Sequence, residues 1–152
     1  MAKILIVEDN ALNIKLFCDL LAAHGHQPEA VTDSRNALDA ARNFSPDLVI
    51  TDIQLPHVSG LDLIRLIRKD EELARIPIMA VTAYSTSEDE ERIRAAGAQA
   101  YVSKPISVVR FAEAVEKLLE SSRDAPTDKV LDDSTNEFID GPGPGEAGGE
   151  ES

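Results

Sequence analysis

Lys3-Ile-Leu-Ile-Val-Glu-Asp-Asn10 is the stretch on which the fold turns. After the lysine it is unbroken apolar sequence, and then it stops at two carboxylates. A strand covered on both faces reads as a continuous apolar run rather than an alternation. Leu48-Val-Ile-Thr51 repeats the pattern and stops at Asp52, and Ile78-Met-Ala-Val81 stops at Thr82. Ala100-Tyr-Val-Ser103 is followed by Lys104-Pro105. The strand candidates are 3–7, 28–31, 47–51, 77–81 and 99–102; the second is short and polar and belongs at an edge.

Helix patterns fill the intervals. Residues 11–24 are broadly apolar and stop at Gly25. In 34–44, Ala37, Leu38, Ala41 and Phe44 make one stripe, and in 60–70 Leu61, Ile64, Leu66 and Ile67 make another. Segment 87–96 opens on Ser87-Glu-Asp-Glu90, a capping-box pattern, and stops at Gly97. Segment 107–121 has a Ser107 cap and a clear helical period from Val108 to Leu119. Five strand-then-helix units predict an α/β fold, a doubly wound parallel sheet with right-handed crossovers.

The composition changes near residue 122. Residues 123–152 hold nine acidic and two basic side chains, five glycines and three prolines, including Gly141-Pro-Gly-Pro-Gly145. So little apolar side chain cannot offset the entropy of ordering, and 122–152 reads as a disordered acidic tail after a folded domain at 1–121. Val130, Leu131, Phe138 and Ile139 are its sizeable apolar groups, either incidental or a docking motif. The tail reads as a tether tuning partner access or as a solubilising extension.

Bulk properties exclude several classes. The chain carries 28 acidic against 15 basic residues, net −13, which argues against non-specific nucleic-acid binding, driven as that is by basic groups on phosphates. No apolar run approaches the ~20 residues of a membrane-spanning helix. The N-terminus lacks the charged and apolar regions of a signal peptide. A single cysteine, Cys18, precludes an intrachain disulfide and reads as a small apolar group inside a helix. A cytoplasmic protein is expected.

In a parallel sheet the polar residues after the apolar runs share one edge, the edge where open α/β sheets bind ligands. Glu8, Asp9, Asp52, Thr82 and Lys104 are thereby brought together. Asp9 and Asp52 are typed as direct ligands of a hard cation such as Mg2+, with Glu8 reaching it through water and a backbone carbonyl past Asp52 as a third ligand. Without metal, Glu8, Asp9, Asp52 and Lys104 sum to −2, which a divalent cation brings to zero. A carboxylate can also act as nucleophile and form an aspartyl phosphate, and Asp52, central in order, is the candidate. Lys104 and Thr82 suit the equatorial oxygens of the phosphoryl group. Singly, each residue has a plainer reading: Asp9 or Asn10 as a helix cap, Asp52 as a loop residue before Pro56, Thr82 as a β-branched strand residue, Lys104 as a surface lysine. The joint placement favours the site.

Ile6-Val-Glu-Asp-Asn10, Asp47-Leu-Val-Ile-Thr-Asp-Ile-Gln-Leu-Pro56 with Gly60, Ala80-Val-Thr-Ala83 and Tyr101-Val-Ser-Lys-Pro105 together resemble the receiver domain of bacterial response regulators, over residues 1 to about 121. Ile53-Gln-Leu-Pro56, Glu90-Glu-Arg-Ile-Arg94 and Lys104-Pro-Ile-Ser107 extend the resemblance to the family's single-domain cell-cycle regulators. The resemblance implies a flavodoxin-like (βα)5 sheet in the order 2-1-3-4-5. It implies a two-component phosphorelay protein in which Asp52 takes a phosphoryl group from a phosphohistidine of a sensor histidine kinase or histidine phosphotransfer protein. It implies Mg2+ on Asp9, Asp52 and the Gln54 carbonyl with Glu8 assisting, a cis Lys104–Pro105 bond, and Thr82 and Tyr101 as the switch. A downstream protein would read the face made by the fourth helix, fifth strand and fifth helix. A signalling protein, not an enzyme beyond its own phosphotransfer and slow dephosphorylation, is the expectation, and bulky Tyr84 would shield the phosphate from water.

Two other functions meet these residues less well. An aspartyl-nucleophile phosphatase wants a second acid two residues past the nucleophile, where this chain has Gln54. A flavodoxin-like cofactor binder wants a phosphate cradle after the first strand, where Glu8 and Asp9 would repel phosphate. His24 and His26 suit a helix end, where histidine can meet terminal carbonyls, and His57 reads as solvated. The acidic cluster Glu88-Asp-Glu-Glu91 suits a helix N-terminus or a basic partner.

Overall fold

The structure, a computed structural model, describes residues 2–83 and 86–124. Its strands are β1 (Lys3–Val7), β2 (Gln27–Val31), β3 (Leu48–Asp52), β4 (Ile78–Thr82) and β5 (Ala100–Ser103). They form one parallel sheet in the order β2-β1-β3-β4-β5, the expected flavodoxin-like arrangement. The helices are α1 (Ala11–Ala23), α2 (Ala37–Phe44), α3 (Gly60–Lys69), α4 (Ser87–Ala96) and α5 (Val108–Asp124).

Period-two alternation deals each central strand to two cores. Ile4, Ile6, Leu48, Ile50, Met79 and Val81 pack with Phe17 and Leu21 of α1 and Phe111 and Val115 of α5. Phe17 and Phe111 stack with ring centroids 5.0 Å apart. Leu5, Val7, Val49, Ile78 and Ala80 face the other way, onto Ala41 of α2, Leu63 and Ile67 of α3, and Ile93 of α4. The edge strand β2 buries only Val31 fully, in keeping with its polar sequence.

Several local expectations are adjusted. Residues 34–36 form a single 3-10 turn, capped by Asp33, before α2 begins. The capping box of α4 lies one residue earlier than Ser87: Thr86 Oγ1 accepts from the Asp89 N–H, and the Asp89 carboxylate accepts from the Thr86 N–H. Thr86 rather than Ser87 has the extended backbone a cap requires. α5 runs on to Asp124 rather than ending at 121. His26 meets a carbonyl of α1 through its backbone, its N–H donating to Leu21 O at 3.0 Å, while its ring is engaged elsewhere. Its Nδ1 accepts from the Ala2 N–H at 3.3 Å and its Nε2 lies 2.6 Å from the Glu116 carboxylate, so it ties the start of β1 to α5. With Nδ1 accepting, the proton sits on Nε2. Gly25, at φ 85°, makes the turn behind α1 that brings His26 back to the sheet. Tyr84 and the tail beyond Asp124 lie outside the described residues. Among the described residues, no helix is long and apolar enough to cross a membrane.

Candidate functional site

The sheet delivers the site by register. Val7 pairs with Thr51, Asp52 with Val81 and Thr82 with Ser103, so β1, β3, β4 and β5 end side by side. The pairing continues past the strands: the Glu8 N–H donates to Val31 O at 3.1 Å, Ile53 N–H to Val81 O at 3.0 Å and Lys104 N–H to Thr82 O at 2.8 Å. The residues following each apolar run are therefore fixed as firmly as the strands themselves.

One carboxylate oxygen from each of Glu8, Asp9 and Asp52 lies within 4.8 Å of the other two. Glu8 and Asp52 are buried, whereas Asp9 is exposed. Lys104 Nζ donates to Asp52 Oδ2 at 2.7 Å and stands 3.9 Å from Glu8 Oε1. Asp52 Oδ1 accepts from the Gln54 N–H at 3.0 Å, and Glu8 Oε2 from the Asn10 N–H at 3.1 Å. Glu8 Oε1 is buried without a hydrogen-bond partner. Burial, and next the charge of Asp52, push the Glu8 carboxyl up to about 7. Such a donor set, all oxygen, crowded, and with one buried acceptor unused, fits a hard divalent cation.

The remaining residues frame this cluster. Thr82 is buried at the end of β4, on the face where Ala80 pairs with Tyr101. Tyr101 is partly buried against the α2–α3–α4 core, so the two residues expected to act as a switch share one face of adjacent strands. The Lys104–Pro105 bond is cis, as expected. An open pocket of about 260 Å3 is lined by Tyr101, Ser103, Lys104, Pro105, Ser107 and Arg110. The Gln54 side chain is exposed, and its part in the site is through the backbone.

Gly60 earns its place by distance. A Cβ there would lie 2.1 Å from Asp52 O and 2.6 Å from Ile53 Cα, so the start of α3 rests directly on the Asp52 backbone. The Gly60 N–H donates to Ile53 O at 3.0 Å and closes the 53–60 loop. Ser34 was not foreseen. It is buried, its Oγ donates to Pro56 O at 2.8 Å, and it accepts from the Val58 N–H at 3.1 Å. Nothing in its local sequence marks it, because both partners belong to a loop far along the chain. His57, exposed between them, has φ 70°.

A parallel 2-1-3-4-5 sheet with an acid cluster, a hydroxyl and a lysine at its C-terminal edge defines a receiver domain, and residues 4–116 match the family model for the response regulator receiver domain. The chain belongs to that family, which serves two-component signalling. Among curated proteins it is 52% identical over 116 residues to the polar-differentiation response regulator DivK of Brucella ovis, covering 76% of this chain and 94% of that one. Among solved structures it resembles the receiver domain of a signal transduction histidine kinase from Syntrophus aciditrophicus, with TM-score 0.76, 29% identity, and 86% of this chain and 99% of that one covered. It also resembles the receiver domain of a sensor histidine kinase from Pseudomonas aeruginosa, with TM-score 0.73, 30% identity, and 79% and 98% covered. The latter was solved with a magnesium ion coordinated in its active site cleft.

Proposed function

We propose that this receiver works as a phosphorelay switch in which Asp52 accepts a phosphoryl group from a phosphohistidine on a kinase or histidine phosphotransfer protein. The observation that carries the reading is the Lys104 ammonium held 2.7 Å from Asp52 Oδ2 beside the Glu8 and Asp9 carboxylates. In the transfer an Asp52 oxygen forms the new O–P bond, the N–P bond of the donor breaks, and the leaving imidazole retains the electron pair and takes up a proton. Asp9, Asp52 and the Gln54 carbonyl would hold Mg2+, with Glu8 assisting through water. Bound there, the cation neutralises charge as the phosphoryl group approaches.

Lys104 then turns from the carboxylate to a phosphoryl oxygen, and the Thr82 hydroxyl bonds another. These contacts exist in the phosphorylated state alone, so they bias a two-state equilibrium. Tyr101, next to the Thr82 face, follows inward, and the surface of α4, β5 and α5 changes for a downstream protein partner. Function in the cytoplasm of a bacterium, signalling through protein contacts rather than nucleic acid, accords with the acidic composition.

The deciding experiment is labelling by a small-molecule phosphodonor, with and without Mg2+, on wild type and Asp52→Asn. Label is expected only on wild type with Mg2+; label that survives the substitution or ignores the metal overturns the proposal. Mixing labelled protein with a histidine phosphotransfer protein then separates a phosphate shuttle, which loses its label, from an adaptor, which keeps it.

A further inference from the structure

The loop from Ile53 to Ser59 carries the Gln54 backbone and must hold its shape with little help from regular structure. Its inner side is pinned by Gln54 N–H on Asp52 Oδ1 and by Gly60 N–H on Ile53 O. Its outer side is gripped by one side chain from elsewhere. Ser34, 4% exposed, donates to Pro56 O and accepts from Val58 N–H, bridging the residues on either side of His57.

The residue so bridged is the costly one. His57 has φ 70°, a left-handed conformation that is costly for a non-glycine residue and persists only where its surroundings hold it. The Ser34 hydroxyl satisfies both the Pro56 carbonyl and the Val58 N–H. Ser34 is itself well anchored. It opens the 3-10 turn capped by Asp33, directly after β2, whose residues pair with β1 from Lys3↔Gln27 to Val7↔Val31. The clamp therefore joins the edge strand to the loop that borders the acid cluster.

We infer that Ser34 is a positioning residue for the proposed phosphorylation site: its hydroxyl fixes the 53–59 loop and thereby the Gln54 amide that donates to Asp52 and the Gln54 carbonyl that would hold Mg2+. The inference rests on the proposed Mg2+-dependent phosphorylation of Asp52. Ser34 touches neither phosphoryl group nor cation and acts through the loop backbone.

Three measurements on wild type, Ser34→Ala and Ser34→Thr test it: Mg2+ affinity by calorimetry, initial labelling rate with a small-molecule phosphodonor, and amide exchange of Val58 against core amides of β1 and β3. Ser34→Ala should weaken Mg2+ binding about tenfold, the lower end of what outer partners of metal ligands contribute, and slow labelling at subsaturating Mg2+. Val58 should lose protection while the β1 and β3 amides keep theirs. Ser34→Thr, which retains the hydroxyl, should recover Mg2+ affinity. Should the buried methyl of threonine disturb folding, the Val58-against-core exchange of Ser34→Ala decides alone. Unchanged Mg2+ affinity in Ser34→Ala, or exchange that rises equally in loop and core, overturns the positioning role. Wild type that binds no Mg2+ or takes no label breaks instead the reading on which it rests, and the Val58 amide still reports on the clamp.

Discussion

Arg68 and Glu8 are both charged side chains drawn into the fold, one between the C-terminal ends of α3 and α4, the other at the C-terminal edge of the sheet, and the fold treats them differently. The Arg68 guanidinium donates to Gly97 O at 2.9 Å, Ala74 O at 2.9 Å, Ile76 O at 2.7 Å and Gln99 Oε1 at 2.7 Å. Gln99 Oε1 also accepts from the Ile78 N–H at 2.9 Å. Burial pulls the guanidinium below its ordinary pKa, yet neutral acceptors surround it and it stays charged. Glu8, by contrast, keeps one buried oxygen without a hydrogen bond, next to a second buried carboxylate. A half-buried charge with four of its five N–H donors met is structural glue; one left with acceptor capacity beside a like charge is stable only at some expense and suits a ligand of opposite sign.

The most direct way to break that contrast is to neutralise one member of each region. Asp52→Asn should reduce phosphodonor labelling to background while the fold, read by circular dichroism, stays intact. Arg68→Ala should do the reverse. It takes the Arg68 donor from the carbonyls of Ala74, Ile76 and Gly97 and leaves Gln99 Oε1 with the Ile78 N–H, and should lower unfolding free energy by about 2–4 kcal/mol while labelling at 25 °C persists. Chemical denaturation of both variants checks the pair. An Arg68→Ala protein as stable as wild type would mean that the knot is ornamental.

What the sequence made legible divides along the same line. Strand positions and the gathering of Glu8, Asp9, Asp52, Thr82 and Lys104 at one edge could be read because each polar residue closes or follows an apolar run, and a parallel sheet aligns such ends, whereas the sheet order came from the family resemblance alone. Arg68, Ser34 and His26 could not. Their meaning comes from backbone groups 6 to 29, 22 to 24 and 24 residues away, which no local pattern encodes. A serine before a helix looks like a cap, and Ser34 stands near one; only the packed loop shows that its hydroxyl is engaged elsewhere.

The electrostatic half of the comparison has a pH signature. Glu8 carries a folded-state pKa of about 7 against an ordinary 4.5, raised first by burial and next by Asp52. Between those values the folded chain holds a proton that the unfolded chain has released, so metal-free stability should fall as pH rises through this window and level off above it. Carboxyls that the fold pulls downward, those of Asp33, Asp70 and Asp89, act in the opposite sense and at lower pH. Saturating Mg2+ prefers ionised Glu8, so it should stabilise most above pH 7 and flatten or reverse the slope. Melting midpoints from pH 4.5 to 8, with Mg2+ and with chelator, check both arms. A metal-free midpoint that climbs across the window would sink the assignment.

The smallest effect concerns α4, which runs between the two regions. Its C-terminal end is tied down where Arg68 grips Gly97 O, and Gly97 has φ 124° with Arg68 Cγ only 2.7 Å from where a Cβ would stand. Its N-terminal end, on the side of Thr82, is held by the exposed Thr86–Asp89 capping box. A helix anchored firmly at one end and lightly at the other can pivot at the site end without breaking the far one. Thr86→Ala should cost about 1 kcal/mol, whereas Ser87→Ala, inside the helix, should stay within about 0.5 kcal/mol. If Ser87→Ala proves the costlier, the cap lies where the sequence pattern alone would put it. Because the lost bonds lie at the light end, Thr86→Ala should also raise amide exchange in the first turn of α4 and leave Gly97 and Ala98 protected. Equal loss at both ends would show that α4 loosens as a unit and that Arg68 does not act as its pivot.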